Sequence, residues 1–102
     1  MSDDPLLQLA RDFKQRAELQ IEWLSSVADT AVAEGDDFRL PIAMSLVADF
    51  RTATFLFQIA LTQPYDQEQR AKACEKGVNC YRDAVDRLFS ARMAGLDRRM
   101  KP

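Results

Sequence analysis

The chain has 102 residues, of which 47% are hydrophobic and 29% charged, with a formal net charge of −2. That size supports a single core with a modest margin, the composition excludes wholesale disorder, and near-neutrality excludes a general polyanion binder. Three Gly and four Pro leave room for few turns, which favours a few long helices over many short strands.

The first helix is expected from about residue 4 to 34. Asp3 or Asp4 can accept from the free N–H groups of the first turn, and Pro5 loses no hydrogen bond at the first helical position. Leu6, Ala10, Phe13, Ala17, Ile21, Leu24, Ala28 and Ala31 then recur at steps of three and four, the mark of one buried stripe. Gly35 is a natural left-handed terminator.

The second helix is expected over about 39–62, ending before Pro64, which drives the residue ahead of it out of helical geometry. Its main stripe is Ala43, Leu46, Val47, Phe50, Ala53, Phe57 and Ala60/Leu61. A second set, Met44, Ala48, Phe55, Leu56 and Ile59, points elsewhere, with Ser45, Asp49 and Thr52 as a narrow polar strip. A helix apolar on most of its circumference must be covered on several sides.

The third helix is expected over about 65–100. Ala71, Cys74, Val78, Tyr81, Val85 and Leu88 form one stripe, and the small residues Ala73, Gly77, Cys80, Ala84, Ala91 and Gly95 form a neighbouring one. Glycine costs about 1 kcal/mol against alanine inside a helix, so Gly77 implies close approach by another backbone. Arg98-Arg99-Met100-Lys101 would set positive charge at a helix C-terminus, where it is favoured.

The fold class that follows is all-α: one domain, 1–102, built as an antiparallel up-down-up three-helix hairpin or bundle with long first and third helices. With tight turns Arg51 should lie near Glu22 and Trp23, and Asp49 near Arg82. On the same register both ends overhang the shorter second helix, leaving Leu6, Leu7 and Leu9 at one end and Met93, Leu96 and Met100 at the other. Dimerisation would cover these residues and the second face of helix 2.

Ten acids and four bases lie in residues 1–50, and six acids and ten bases in 51–102. Pairing of an acidic first helix with a basic third one accounts for that asymmetry. The start is acidic and lacks the continuous apolar segment of an export signal, so a cytoplasmic protein is expected. The nearly uncharged stretch from Phe55 to Tyr65 is too short to cross a bilayer, and no membrane association is expected. Cys74 and Cys80, six residues apart on one helix, sit about 9 Å apart along the axis and about 120° around it, too far for a disulfide; they read as small buried hydrophobes.

Histidine is absent, which removes the commonest general base and metal ligand and any Ser-His-Asp or Cys-His arrangement. Glu18 and Glu22 could share a divalent ion, but Arg11 and Lys14 nearby read better as part of a solvated charged face. Gly35, Gly77 and Gly95 are isolated and form no phosphate loop. No catalytic residue, metal or cofactor is therefore expected. Phe13, Phe50, Phe57 and Phe89 have core spacing, whereas Trp23 lies beside its stripe and suits an interface.

The leading expectation is a small dimeric protein-interaction module: an adaptor, chaperone, immunity-type inhibitor or regulatory subunit. Its contact residues would be Met44, Phe55, Leu56, Ile59, Trp23, Met93, Leu96 and Met100. The alternative is a small helical dimeric enzyme or ligand-binding protein whose Arg11, Lys14, Arg51 and Arg82 converge on an anion, an analogy of architecture alone. A third reading is a regulator touching nucleic acid through the basic third helix.

Overall fold

In the computed structural model, which describes residues 4–96, Asp4 opens the first helix by accepting a hydrogen bond from the backbone N–H of Leu6 at 2.9 Å. Helix α1 runs from Pro5 to Glu34. It stops at Gly35, whose φ of 65° is left-handed. There the N–H groups of Gly35 and Asp36 return to the carbonyls of Val32 and Ala31, the paired bonds that close a helix end.

Helix α2, Arg39–Thr62, has no capping side chain of its own at Phe38; the carboxylate of Asp36 takes that part, accepting from the N–H groups of Phe38 and Arg39, each at 3.0 Å. It ends at Gln63, which is extended ahead of Pro64, as a residue before proline must be. Helix α3, Gln67–Met93, opens on a capping box in which Asp66 and Gln69 satisfy each other's backbone N–H.

The end of α3 corrects the sequence reading. The helix does not run on to residue 100. Gly95 has a φ of 106°, and the N–H groups of Gly95 and Leu96 return to the carbonyls of Arg92 and Ala91. Leu96 thereby folds back and is fully buried in the core. Reversal at glycine is favoured because it buries a leucine that continued helix would have left in water. The cluster Arg98-Arg99-Met100-Lys101 lies outside the described residues.

All three helices pack on one another around two connected apolar clusters. One gathers Leu24, Val27, Leu46, Phe50, Leu88 and Leu96; the other gathers Ala10, Ala53, Phe57, Ala60 and Cys74. Phe13 stacks on Phe57 with ring centres 5.7 Å apart, and Tyr81 meets Phe13 and Phe50 edge-on at 5.3 and 5.7 Å. The start of α1 is not an overhang: Leu6 and Leu9 pack on the second cluster, and the Cys74 thiol lies 3.6 Å from the Leu6 carbonyl. Both cysteines are free, Cys74 buried and Cys80 half-buried.

The charges of α2 also find other partners than expected. Asp49 pairs with Arg87 at 2.8 Å, five residues beyond Arg82, and Arg51 is exposed and forms no ion pair with Glu22. Gly77 is needed for a different contact from the one expected. A methyl group there would sit 2.6 Å from the ring of Phe57, so the close neighbour is an aromatic side chain and not another backbone.

The result is a rod of 57 × 20 × 18 Å with a radius of gyration of 16.0 Å, where a compact chain of this length has about 13 Å. Its accessible surface is 6763 Å², against roughly 5,800 Å² for a compact monomer of equal mass.

Replacing Gly77 by Ala tests the packing at its tightest point. Phe57 is fully buried and stacked on Phe13, so overpacking should cost about 1–3 kcal/mol. Thermal unfolding should show a lower Tm. A rise, as expected for Gly→Ala in an open helix, would refute the contact.

Candidate interaction surface

Helix α2 buries Ala43, Leu46, Val47, Phe50, Ala53, Phe57 and Ala60 against its neighbours. The opposite side stays open. Pro41, Met44, Ala48, Thr52, Phe55 and Ile59 follow one another at steps of three and four, which places them along one line of the helix. Met44 is 56% exposed and Phe55 64%; Ala48 and Thr52 are exposed, and Leu56 and Ile59 half-buried.

Two open grooves lie beside this line, between α2 and α3. The larger, about 630 Å³, has Pro41, Ile42, Leu46 and Ala91 as its apolar floor and Asp49, Asp86 and Arg87 at its rim. The smaller, about 350 Å³, has Leu56, Ile59 and Tyr65 beneath Lys72 and Lys76. Met44, Phe55, Leu56 and Ile59 are thus brought to one side of the molecule.

The other expected contact residues separate. Trp23 is half-buried, with the guanidinium of Arg92 4.8 Å above its ring, so the chain covers this indole itself. Met93 is 69% exposed while Leu96 is fully buried; the expected strip of Met93, Leu96 and Met100 does not form, because the chain reverses at Gly95 between the first two. Met100 lies outside the described residues. Phe89, expected in the core, is exposed and sits one turn from Met93. Its position just past Leu88, off the Val85/Leu88 stripe, was the available signal.

The cationic side chains proposed for an anion pocket do not share one. Lys14 pairs with Glu18 at 2.9 Å, Arg11 donates to Gln8, and Arg51 and Arg82 are exposed; none of the four lines a described groove. Among the described residues no group of three or more His, Cys, Asp or Glu is placed to hold a metal ion. Burial pushes both thiols above their usual range, and at Cys80 the nearby Asp49 adds to the effect, so neither is poised as a nucleophile.

The one buried charge among the described residues lies at the first residue of α2. Arg39 is 4% exposed, with Nε 2.6 Å from Asp36 and Nη2 2.6 Å from Glu34. Buried charge can mark a functional site, but here each part is accounted for structurally. Asp36 caps α2 while its second oxygen holds Arg39, and the clasp ties the end of α1 to the start of α2. The acids three and five residues before Arg39 were the visible signal.

Among the described residues α2 is also the one helix long and apolar enough to cross a membrane by length and composition, a test that the core helix of a soluble protein also passes. Asp49 and Arg51 lie at its middle, where charge is expensive in a bilayer. No family model, no curated protein and no solved structure matches the chain.

The clasp gives the acid limb of stability a definite sign. The backbone N–H of Arg39 foremost, then its side chain and the N–H of Phe38, hold the Asp36 carboxyl below its usual range against the opposing effect of burial. Its contribution is complete above the unfolded value of about 4 and disappears as the pH falls through the lower folded value. Asp36→Asn should lower Tm at neutral pH, with the gap to wild type closing as the pH falls below the usual carboxylate range and through the lower folded value. Parallel Tm curves across that range would refute the assignment.

Proposed function

We propose that the chain is a small helical protein–protein interaction module that works as a homodimer, its three helices running up, down and up. The observation that carries this reading is the open apolar line on α2, where Met44 and Phe55 stand in water on a helix already buried along its other side. Isolated exposed apolar residues are ordinary, but a contiguous line of them marks a contact surface.

Several contacts support the alternating directions. Arg70 at the start of α3 reaches back to the carbonyls of Ala60 and Gln63. Asp49, earlier on α2, meets Arg87 near the end of α3. Phe13, early on α1, stacks on Phe57, late on α2.

The scattered cations weigh against an anion pocket. Contact with nucleic acid through α3 is disfavoured because Glu68, Glu75, Asp83 and Asp86 lie exposed among its bases, and Arg70, Arg87 and Arg92 are engaged within the chain. An adaptor or regulatory subunit needs only a surface, and a surface is what the sequence has built.

Sedimentation is the direct measurement. Wild type should run as a dimer at micromolar concentration, and Phe55→Asp should weaken association by about thirtyfold or more while leaving the helical circular dichroism unchanged, since the ring is exposed in the single chain. A wild-type monomer at every accessible concentration would overturn the homodimer.

A further inference from the structure

We propose that the second copy docks along the seam between α2 and α3 in an antiparallel two-fold, setting the lysine-rimmed groove of each chain against the acid-rimmed groove of the other. This rests on the self-association proposed above and specifies its geometry.

The two grooves share one side of the molecule. On α2 they are lined by Ser45 and Asp49 at one end and by Leu56 and Ile59 at the other; on α3 by Asp86 and Arg87 at the first end and by Lys72 and Lys76 at the second. The seam is therefore apolar along its floor and oppositely charged at its ends. Among the described residues Lys72, Lys76 and Asp86 form no ion pair, and all three are exposed.

A closed two-fold contact pairs each patch with itself, so that if residue i meets residue j, then j meets i. A parallel arrangement would bring lysine to lysine and aspartate to aspartate. The antiparallel one brings Asp86 to Lys72 and Lys76 twice over, and like-charge contact is what interfaces avoid most.

The line beside the seam suits the same axis. Ser45, Ala48 and Thr52 lie midway and are exposed, and small side chains let two helices approach closely. An antiparallel crossing there sets Met44 of each copy opposite Phe55 of the other, a favourable sulfur–aromatic pairing. Arg51 would meet its own counterpart near the axis, on the flank away from α3, where its long side chain can turn to water.

Charge reversal in the full chain tests the seam. Lys72→Glu with Lys76→Glu, and separately Asp86→Lys, should each weaken the homodimer by about tenfold or more at low ionic strength. Mixing the two variants should give a heterodimer of wild-type affinity, and combining all three substitutions in one chain should restore the homodimer. Circular dichroism should match wild type throughout, since the three side chains are exposed. A dimer broken by Phe55→Asp but indifferent to these reversals, or not rescued by combining them, overturns the seam and leaves self-association standing. A monomeric wild type overturns both.

Discussion

The ring of Phe57 sets how closely α2 and α3 can lie, and through Phe13 it carries that constraint to α1. It is fully buried, stacked on Phe13 and seated against a glycine that leaves room for it. Phe13 in turn meets the edge of Tyr81, and Tyr81 the edge of Phe50. Aromatic pairs of this kind add about 0.5–1.5 kcal/mol each beyond the area they bury, and the chain of contacts runs through all three helices. Their relative positions are thus fixed by four rings and one missing side chain.

That arrangement commits one side of α2 and cannot commit the other. Three helices in a row give the middle one two neighbours, and here both neighbours draw on the same residues, from Ala43 to Ala60. The remaining line is apolar apart from Thr52, and no further helix follows among the described residues to cover it. A fourth helix would be the intramolecular way to complete such a bundle. Contact with another protein is the alternative, at the cost of the orientational freedom lost on association.

Most of the fold was legible because local signals agree with tertiary ones. Asp4 with Pro5, Gly35 and Pro64 each impose a boundary through backbone chemistry that no packing has to confirm. Where two signals competed, sequence alone could not choose between them. Gly95 could have been tolerated inside a longer helix, and only the fit of Leu96 into the core decides that it reverses the chain. The partner of Asp49 was misplaced because level along the axis does not fix the face: Cys80 reaches the Asp49 carbonyl at 3.7 Å, and Arg87, seven residues on and so on the same side of α3, takes its carboxylate. Arg39 escaped notice for another reason, since its clasp with Glu34 and Asp36 has no periodicity and depends on the turn geometry that Gly35 creates. Met44, Phe55, Leu56 and Ile59 were found together because a helix with two apolar stripes announces the second one, whereas Trp23 and Leu96 were claimed by contacts within the chain.

The seam between α2 and α3 follows from the same misfit of shapes. Where α2 meets α3 through Phe57 and Gly77 the helices are held close, and to either side of that contact the surface opens into a groove. The side chains at the rims then decide what can enter. At one end Asp49 is occupied by Arg87, leaving Asp86 as the acid facing outward; at the other, two lysines one turn apart face solvent. Charge separated along an apolar seam has low energy against a surface with the reverse order, and in the proposed dimer that surface is the same seam turned end for end. The contact that closes the core of one chain therefore also shapes the ground on which two chains can meet.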